Sequence, residues 1–360
     1  MTIELPISKS IANRFLILQA MHGDELMPVS VAMPDDVQIL HRALTIFTTH
    51  SSHCERPIGG TPSDSEASDN RIAEANLGNC GTAMRFLTAY CAQLEGQIIV
   101  LDGVERMRHR PIGQLVEALR EIGAQIEYLG EEGFPPLRVN GCVLDKHRMV
   151  RIDNPLSTQF VSALLLIGAN VQTNSTSPYI NITREIIAQY LQRTTASKAS
   201  ELIESDWSSA AFWYEHVALH GGEIALPGLF RDSLQGDKVV ADIFAQLGVQ
   251  TQYTAEGITL SPHRLIASSP FAYNFSNCPD LYPAIALTCE RLGIELHATG
   301  VESLPLKESD RLRAVREHRT DADHRMAMAL LVAGYEVDDT ACIAKSYPRF
   351  LEQWQAIVLY

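Results

Sequence analysis

Residues 111–139 read PIGQLVEALREIGAQIEYLGEEGFPPLRV, and this stretch decides the predicted fold. Its first part places apolar side chains at helical spacing, with Pro111 in the first turn and Gly123 at the expected C-terminal stop. A strand-like QIEYL follows the glycine, and a Glu-Glu-Gly turn separates it from a second strand, PLRV. The stretch therefore predicts a helix followed by a two-stranded hairpin.

The same order of elements recurs later in the chain. Residues 239–247 form a second helical pattern, Gly248 follows it, and residues 249–253 and 258–260 are typical of two strands around a Glu-Gly turn. A repeat of helix, glycine, strand, turn and strand indicates that similar units were joined in one chain. The sequence thus predicts an α/β (α+β) fold made of repeated units.

Two further segments begin like these units and then stop. Helical patterns start in residues 179–190 and 309–315, but the polar runs 192–200 and 316–323 stand where two strands should follow. Either the hairpins are deleted or the sequence omits segments of a longer chain, and two losses at the same point of the repeat favour omitted hairpins. Another polar stretch, residues 48–76, predicts a long surface loop.

The composition is that of a globular chain with two domains. Its 360 residues, 46% of them hydrophobic and 20% charged, are too many for one ordinary core. The formal net charge of -14 argues against a nucleic-acid or anionic-membrane surface, because phosphate backbones need a basic face. The seven cysteines form no C-x-x-C pair, and the first residues lack a signal-peptide pattern. We therefore expect a cytoplasmic protein with reduced thiols that binds neither nucleic acid nor a membrane.

Short segments that combine cations with hydroxyl groups or glycine stand out along the chain. Arginine and lysine beside hydroxyls and free backbone amides suit phosphate and carboxylate oxygens. The standard motifs G-x-G-x-x-G, G-x-x-x-x-G-K-[ST], G-x-S-x-G and H-E-x-x-H are absent from the sequence. His318 and His324 do not have helical ligand spacing, so no metal is expected there. The sequence predicts a shared site for small anions. The segments are residues 8–14, 79–85, 106–110, 306–311 and 323–325.

Several of these segments resemble the motifs of one enzyme family. Residues 8–14, SKSIANR, resemble the S-K-S-x-x-N-R segment of EPSP synthases, the 3-phosphoshikimate 1-carboxyvinyltransferases. Residues 77–85, LGNCGTAMR, are similar to the L-G-N-x-G-T-A-M-R loop of that family, and residues 106–113 to its R-M-x-x-R-P-I-G segment. The resemblance covers nearly the whole chain. Further matches follow in family order at residues 154–164, 178–180, 204–209, 278–280, 307–311, 323–328 and 345–348.

The chain departs from the family pattern at a few matched positions. Ile7 stands in place of a glycine, Cys80 in place of an alanine and Phe86 in place of a proline. Thr158 and Thr176 replace serines but keep the hydroxyl group. These departures leave sensitivity to the inhibitor glyphosate open.

The resemblance implies a two-domain enolpyruvyl transferase fold built from repeated βαβαββ units. In that fold the chain crosses twice between the domains, here near Ser8 and near Glu204. The first domain would then comprise residues 1–8 plus 205–360, and the second would comprise residues 9–204. The active site is expected in the cleft between them, where helix N-termini can reinforce a positive field.

The resemblance also implies a reaction. The 5-hydroxyl of shikimate 3-phosphate attacks C2 of phosphoenolpyruvate, C3 is protonated, and a tetrahedral intermediate loses phosphate. The expected acceptor of the hydroxyl proton is Asp280, and the expected donors to C3 are Glu308 and Lys9; ion pairing alone remains the alternative role of the two carboxylates. We expect a monomer that needs no metal and no organic cofactor.

The remaining expected site residues divide between the two substrates. Shikimate 3-phosphate is assigned Lys9, Ser10, Arg14, Ser157, Thr158, Gln159, Thr176, Tyr179, Asp280 and Lys307. Phosphoenolpyruvate is assigned Lys9, Gly81, Arg110, Gln159, Arg311, Arg325 and Lys345.

Three other functions compete with this interpretation. A UDP-N-acetylglucosamine enolpyruvyl transferase shares the fold and the reaction type, but the S-K-S-x-x-N-R, R-P-I-G and K-E-S-D-R segments favour the shikimate enzyme. An inactive homologue that only binds anions is the second alternative, since a fold does not by itself confer a function. A nucleic-acid-binding module is disfavoured by the acidic balance and the lack of a basic stripe.

Overall fold

The computed structural model describes residues 1–52, 72–193 and 203–358. The helices are α1 Lys9–His22, α2 Asp35–Ser52, α3 Gly81–Cys91, α4 Glu105–Arg108, α5 Gly113–Glu121, α6 Thr158–Leu166, α7 Pro178–Gln192, α8 Trp207–His220, α9 Val240–Gln246, α10 Tyr282–Leu292, α11 Arg311–Glu317, α12 His324–Val332 and α13 Phe350–Val358. The strands are β1 Ile72–Asn76, β2 Ile98–Asp102, β3 Gln125–Tyr128, β4 Leu137–Asn140, β5 Val150–Arg151, β6 Val171–Gln172, β7 Ile224–Pro227, β8 Val249–Tyr253, β9 Gly257–Pro262, β10 Phe271–Asn274 and β11 Leu296–Thr299.

The elements from β1 to β4 form one complete βαβαββ unit. Its sheet has the order β1-β2-β4-β3, with β1 parallel to β2 and with β4 antiparallel to both β2 and β3. The predicted helix and hairpin are confirmed as α5, β3 and β4. Gly123 follows the helix with a φ of 101°, a backbone conformation that favours glycine. The buried residues Ile126 and Val139 face each other in the hairpin, as alternating strands require.

A second unit contains α8, β7, α9, β8 and β9. Its sheet has the order β7-β9-β8, and both ladders are antiparallel. The beginning of the chain lies against the edge of this sheet: Thr2 bridges Ala225 in parallel, and Ile3 N donates to Ala225 O at 2.9 Å. The N-terminal residues therefore take the place of the first strand of a unit whose other elements come two hundred residues later.

Two shortened units accompany the complete ones. The first pairs β5 with β6 in parallel and ends at α7, and the second pairs β10 with β11 in parallel and ends at α11. Among the described residues, no strand lies between α7 and α8 or between α11 and α12. Residues 194–202, between α7 and α8, lie outside the described part of the chain, so only the short connection between α11 and α12 is described in full.

The predicted surface loop at residues 48–76 is wrong at both of its ends. Helix α2 continues to Ser52. Its buried apolar face is formed by Val37, Leu40, Leu44 and Phe47, and the polar last turn continues the helix beyond that face. At the other end, residues 72–76 form strand β1, where two buried alanines alternate with exposed residues. Residues 53–71 lie outside the described part of the chain.

The buried apolar side chains form two separate cores. The first core extends from Ile11 to Tyr190, and the second contains Ile3 together with residues from Trp207 to Phe350. The two connections between these groups lie side by side, since Ile7 bridges Ser205 in antiparallel fashion and Ser8 N donates to Glu204 O at 2.8 Å. Each core buries many whole Leu, Ile, Phe or Trp side chains, and each such side chain contributes about 1.5–3 kcal/mol. The chain therefore passes between the two packed cores twice, at adjacent positions.

No described helix combines the length and the apolar composition that crossing a membrane would need.

Candidate active site

A cavity of about 660 Å³ is lined by residues that flank both cores. It contains most of the residues that the sequence singled out. The predicted residues on its wall are Lys9, Ser10, Arg14, Gly81, Arg110, Ser157, Thr158, Gln159, Thr176, Tyr179, Asp280, Lys307, Glu308 and Arg325. Arg311 and Lys345 do not line it, but each contacts a carboxylate that does.

Four helices of the first half of the chain begin at this cavity. Helices α1, α3, α6 and α7 start at or beside lining residues, and the hydroxyls of Ser157 and Ser177 accept from the backbone N–H groups of Gln159 and Tyr179, both at 3.3 Å. Helix N-termini carry partial positive charge and free N–H groups, which attract anions. The family resemblance led us to expect helix N-termini at the cleft.

Asp280 is surrounded by three cations. Its carboxylate accepts from Arg311 Nη1 at 2.7 Å and from Lys307 Nζ at 3.2 Å, and it pairs with Arg325 Nη2 at 3.0 Å. Burial alone would raise the pKa of this carboxyl, but Arg325, Lys307 and Arg311 together outweigh burial and hold the pKa well below its usual range. The ionised form of Asp280 is therefore favoured, and its affinity for a proton depends on how strongly these three cations act on it.

Glu308 lies beside Asp280 in a similar environment. Its Oε1 accepts from Lys345 Nζ at 2.9 Å, and its Oε2 accepts from Arg311 Nη2 at 3.1 Å. Burial opposes ionisation here too, yet Lys345, Arg110 and Arg311 lower the pKa of Glu308 well below the usual value. The neighbouring cations therefore favour the ionised form of Glu308.

Arg311 connects the two carboxylates and is almost fully buried. Its Nε donates to Asp323 Oδ2 at 2.8 Å, and the carboxylate of Asp323 also accepts from the Arg325 backbone N–H at the start of α12. Removing one partner from such a buried charged network is strongly destabilising, because the other charge is left unpaired. The sequence grouped Asp323 with Arg325 but assigned it no role, and its link to Arg311 appears only in the fold.

Gly81 leaves room for two arginines. A β-carbon at this position would collide with the guanidinium groups of Arg85 and Arg110. The Nε and Nη1 atoms of Arg85 are buried and have no partner, and burial, followed by repulsion from Arg110, lowers the pKa of Arg85 to about 9. Although Arg85 ends the quoted L-G-N-C-G-T-A-M-R segment, it was not among the predicted site residues. The signal available in the sequence was an arginine that lies one helical turn after the glycine at which the helix starts.

The side chain of Arg14 is held by the protein on nearly all sides. It donates to the Ser10 carbonyl at 2.6 Å, to Thr183 Oγ1 at 2.7 Å and to the Tyr179 carbonyl at 3.0 Å. Burial lowers its pKa to about 10, which leaves it charged at neutral pH. Arg14 thereby joins the start of α1 to the start of α7 at the wall of the cavity.

Three further carboxylate or amide contacts fix the lining. Lys9 Nζ donates to Asp36 Oδ2 at 3.2 Å, and Gln159 Nε2 donates to Thr82 Oγ1 at 2.9 Å. Tyr179 donates its hydroxyl to Asp237 Oδ1 at 3.0 Å, which joins the two halves of the wall. Asp36 and Asp237 were not predicted, because nothing in their local sequence indicates which distant cation or hydroxyl they meet.

No group of three metal-binding side chains is found in the described ranges. His318 Nε2 donates to Glu290 Oε1 at 2.8 Å outside the cavity, while His324 is fully buried and its pKa is lowered by burial and by nearby cations such as Lys9.

The fold and the cavity together define a class of protein: two packed cores of repeated α/β units, with a cavity lined by cationic side chains from both. The family model for EPSP synthase (3-phosphoshikimate 1-carboxyvinyltransferase) matches residues 1–318 and 315–354. The chain belongs to the EPSP synthase family.

Individual relatives agree with this assignment. A 3-phosphoshikimate 1-carboxyvinyltransferase of Bacteroides fragilis is 35% identical over 410 residues, covering 97% of this chain and 93% of the relative. One of Cellvibrio japonicus is 30% identical, covering 99% and 96%. A solved EPSP synthase structure from Acinetobacter baumannii has a TM-score of 0.64 at 19% identity and covers 99% of this chain and 95% of that one, which supports the fold.

The comparisons also bear on the shortened units. The alignment to the Bacteroides fragilis relative runs over 410 positions although this chain has 360 residues, so the relative contains internal segments without a counterpart here. The two matches to the family model meet at residues 315–318, where α11 ends without a hairpin.

Proposed function

We propose that this enzyme transfers the enolpyruvyl group of phosphoenolpyruvate to the 5-hydroxyl of shikimate 3-phosphate and releases phosphate, a step of the shikimate pathway to aromatic amino acids. The observation that carries the proposal is the pair of carboxylates, Asp280 and Glu308, held among cations in a cleft of this family's fold. Two small anions and a proton donor and acceptor are what this reaction needs.

For shikimate 3-phosphate, the hydroxyls of Ser157, Thr158, Thr176 and Tyr179 bind the phosphate. Support comes from their position on one wall, beside the N-termini of α6 and α7. Ser10, Arg14 and Lys307 hold the ring and the carboxylate, while Lys9, Gln159 and Asp280 contact the same substrate from the side that faces phosphoenolpyruvate. Arg14 also fixes the starts of α1 and α7 through its bonds to Ser10, Thr183 and Tyr179.

For phosphoenolpyruvate, the cations at the other end of the cleft bind its phosphate and carboxylate. Support comes from the unpartnered buried donors of Arg85, Arg110 and Arg325 and from the absence of a side chain at Gly81. We therefore add Arg85 to the residues assigned from the sequence. Those residues are Lys9, Gly81, Arg110, Gln159, Arg311, Arg325 and Lys345.

In the first step Asp280 accepts the proton of the 5-hydroxyl, whose oxygen forms a bond to C2 of phosphoenolpyruvate while C3 gains a proton from Glu308 or Lys9. In the second step the tetrahedral intermediate loses phosphate from C2 and a proton from C3, which regenerates the double bond. The products are the enolpyruvyl ether and phosphate. No oxidant or reductant is consumed.

Substrate binding itself prepares Glu308 to act as an acid. Lys345 and Arg311 donate to Glu308 and lower its pKa. Phosphate and carboxylate groups of phosphoenolpyruvate attract the same cations, so the net positive charge acting on Glu308 falls when they bind. The pKa of Glu308 then rises toward the range in which a carboxyl group can protonate C3.

The domain boundaries at residues 1–8 plus 205–360 and 9–204 are part of the same proposal. The division of the buried side chains into two cores, and the adjacent contacts of Ile7 with Ser205 and of Ser8 with Glu204, support them. Closure of the two domains on both substrates would exclude water from the reacting atoms.

The test is phosphate release from purified protein given phosphoenolpyruvate, with and without shikimate 3-phosphate. We expect release only when both are present. Release with UDP-N-acetylglucosamine in place of shikimate 3-phosphate, or no release with either acceptor from folded protein, would contradict the proposal. Shikimate without the phosphate serves as the control for the predicted phosphate contacts.

A further inference from the structure

The R-M-x-x-R-P-I-G segment contains an arginine that the proposed function does not use. Arg110 is assigned to phosphoenolpyruvate, but Arg106 lies outside the cavity wall on the short helix α4. Its side chain is exposed, but its Nε and Nη2 donate across the cleft to residues of the other half of the molecule.

Arg106 holds the backbone of one loop at three points. Its Nε donates to the Glu308 carbonyl at 3.2 Å, and its Nη2 donates to the Lys307 carbonyl at 2.8 Å and to the Pro305 carbonyl at 3.2 Å. A planar guanidinium can bind several carbonyl oxygens at fixed angles, whereas a lysine ammonium is a single centre on a flexible stem. The contact therefore fixes the course of the loop as well as adding an attractive charge.

The loop that Arg106 holds carries two of the proposed site residues. Lys307 donates from its side chain to Asp280 at 3.2 Å, and the carboxylate of Glu308 accepts from Lys345 at 2.9 Å. The loop begins in the short 3-10 turn Leu304–Leu306, and residues 307–310 have no regular secondary structure before α11 starts at Arg311. A shift of about 1 Å in a reacting group can reduce turnover by roughly a hundredfold.

We propose that Arg106 is a positioning residue that clamps the loop of residues 305–308 across the cleft and thereby sets the place of Glu308 and Lys307 for the reaction. Its role rests on the proposed function, because a misplaced Glu308 matters only if that carboxyl reacts. Arg106 touches neither substrate in this proposal and acts through the backbone of the loop.

The clamp can be tested without any substrate by hydrogen–deuterium exchange. In the variant Arg106→Ala, backbone amides of residues 303–308 should exchange at least tenfold faster than in the parent protein. The matched control is Arg108→Ala, which removes an arginine of the same helix that pairs with Asp102 at 2.6 Å and does not reach the loop. Unchanged exchange in Arg106→Ala, or an equal increase in Arg108→Ala, would overturn the clamp.

Steady-state kinetics test the effect on the reaction. For Arg106→Ala we expect kcat to fall about tenfold or more while KM for shikimate 3-phosphate changes less than threefold, since most contacts of that substrate lie on the other wall. Arg106→Lys keeps the charge but not the three-point contact, and it should recover little of the lost turnover. A kcat within twofold of the parent in Arg106→Ala, or full recovery in Arg106→Lys, would refute the positioning role.

The two measurements separate this inference from the proposed function. If the parent protein releases no phosphate with its two substrates while only Arg106→Ala exchanges faster, the clamp is retained and the proposed reaction fails. If the parent is active and Arg106→Ala matches it in exchange and turnover, the reaction is retained and the inference fails.

Discussion

At the scale of single residues, Asp280 and Glu308 share one cation, Arg311, and each carboxylate affects the protonation of the other. Arg311 donates to both carboxylates and is itself paired with the buried Asp323. Neither carboxylate can therefore be treated as a free acid, because each change of charge at one is felt at the other.

Replacing Asp280 by asparagine removes the proposed proton acceptor with little change in shape. We expect kcat of Asp280→Asn to fall by about 10²–10⁴-fold, the usual effect of removing a general base. Single-turnover phosphate release would measure it, with the thermal unfolding midpoint as the check on folding. Near-normal turnover by a variant that still binds both substrates would eliminate Asp280 as the acceptor.

Arg85 offers a residue-scale prediction that the sequence alone did not suggest. Its buried, unpartnered Nε and Nη1 atoms lie beside Gly81 and Arg110. For Arg85→Lys, we expect KM for phosphoenolpyruvate to rise about tenfold or more, because charge-assisted hydrogen bonds of about 1.5–3 kcal/mol each are lost. Titration of phosphoenolpyruvate at saturating shikimate 3-phosphate would show the rise. Arg138→Lys, at an exposed pair with Glu127, is the control, and equal KM values in the two variants would argue against the assignment.

At the scale of secondary-structure elements, helix α8 is the most deeply buried part of the second core. Trp207, Trp213 and Tyr214 are fully covered, and so is Glu215, whose two carboxylate oxygens have no hydrogen-bond partner. Burial raises the pKa of Glu215 well above its usual value, so the folded protein binds a proton there that the unfolded chain releases.

This burial predicts a pH-dependent stability difference between the parent protein and Glu215→Gln. Because the pKa of Glu215 is higher in the folded state, its contribution to stability falls as pH rises above the unfolded value of about 4.5. The variant should therefore gain stability relative to the parent as the pH rises above that value. Urea unfolding at a series of pH values measures the difference. Glu121→Gln, at an exposed position, should show no such trend; a pH-independent difference for Glu215→Gln would contradict the prediction.

Elements were predictable from the sequence where their pattern is local. The α5–β3–β4 unit is visible because helical spacing, a glycine and alternating apolar residues follow one another within thirty residues. Strand β1 was missed because its inward residues are alanines, which give only a weak alternating signal. The pairing of Arg311 with Asp323, or of Tyr179 with Asp237, could not be foreseen, since it depends on how separate elements pack.

At the scale of the whole molecule, several of the cationic side chains of this acidic chain line the cavity between its two cores. The net charge is -14, yet the cavity wall includes Lys9, Arg85, Arg110 and Lys307. A ligand in the cavity contacts both halves and so opposes their separation as well as their unfolding.

Ligand binding should therefore stabilise the whole molecule in a graded way. We expect shikimate 3-phosphate to raise the thermal unfolding midpoint, and the two substrates together, or the acceptor with an unreactive phosphoenolpyruvate analogue, to raise it further. A ligand at a hundredfold excess over its Kd contributes about 2.7 kcal/mol. Differential scanning calorimetry provides the measurement, with shikimate as the control. No shift with either ligand at saturating concentration would mean that the cavity is not their site.

The position of the first residues has a mechanical consequence. Ile3 packs in the second core together with Phe350, and Thr2 and Ile3 pair with strand β7. The first core is formed by the chain from Ile11 to Tyr190, which lies between these parts of the second core in sequence. A molecule stretched by its two ends in an optical trap would therefore transmit the load directly to the second core. The first core lies between the adjacent crossings at Ile7 and Ser205, and it would bear tension as soon as the contacts of Thr2, Ile3 and Ile7 had opened. Extension traces should therefore begin with the release of these contacts and then show the opening of the two cores.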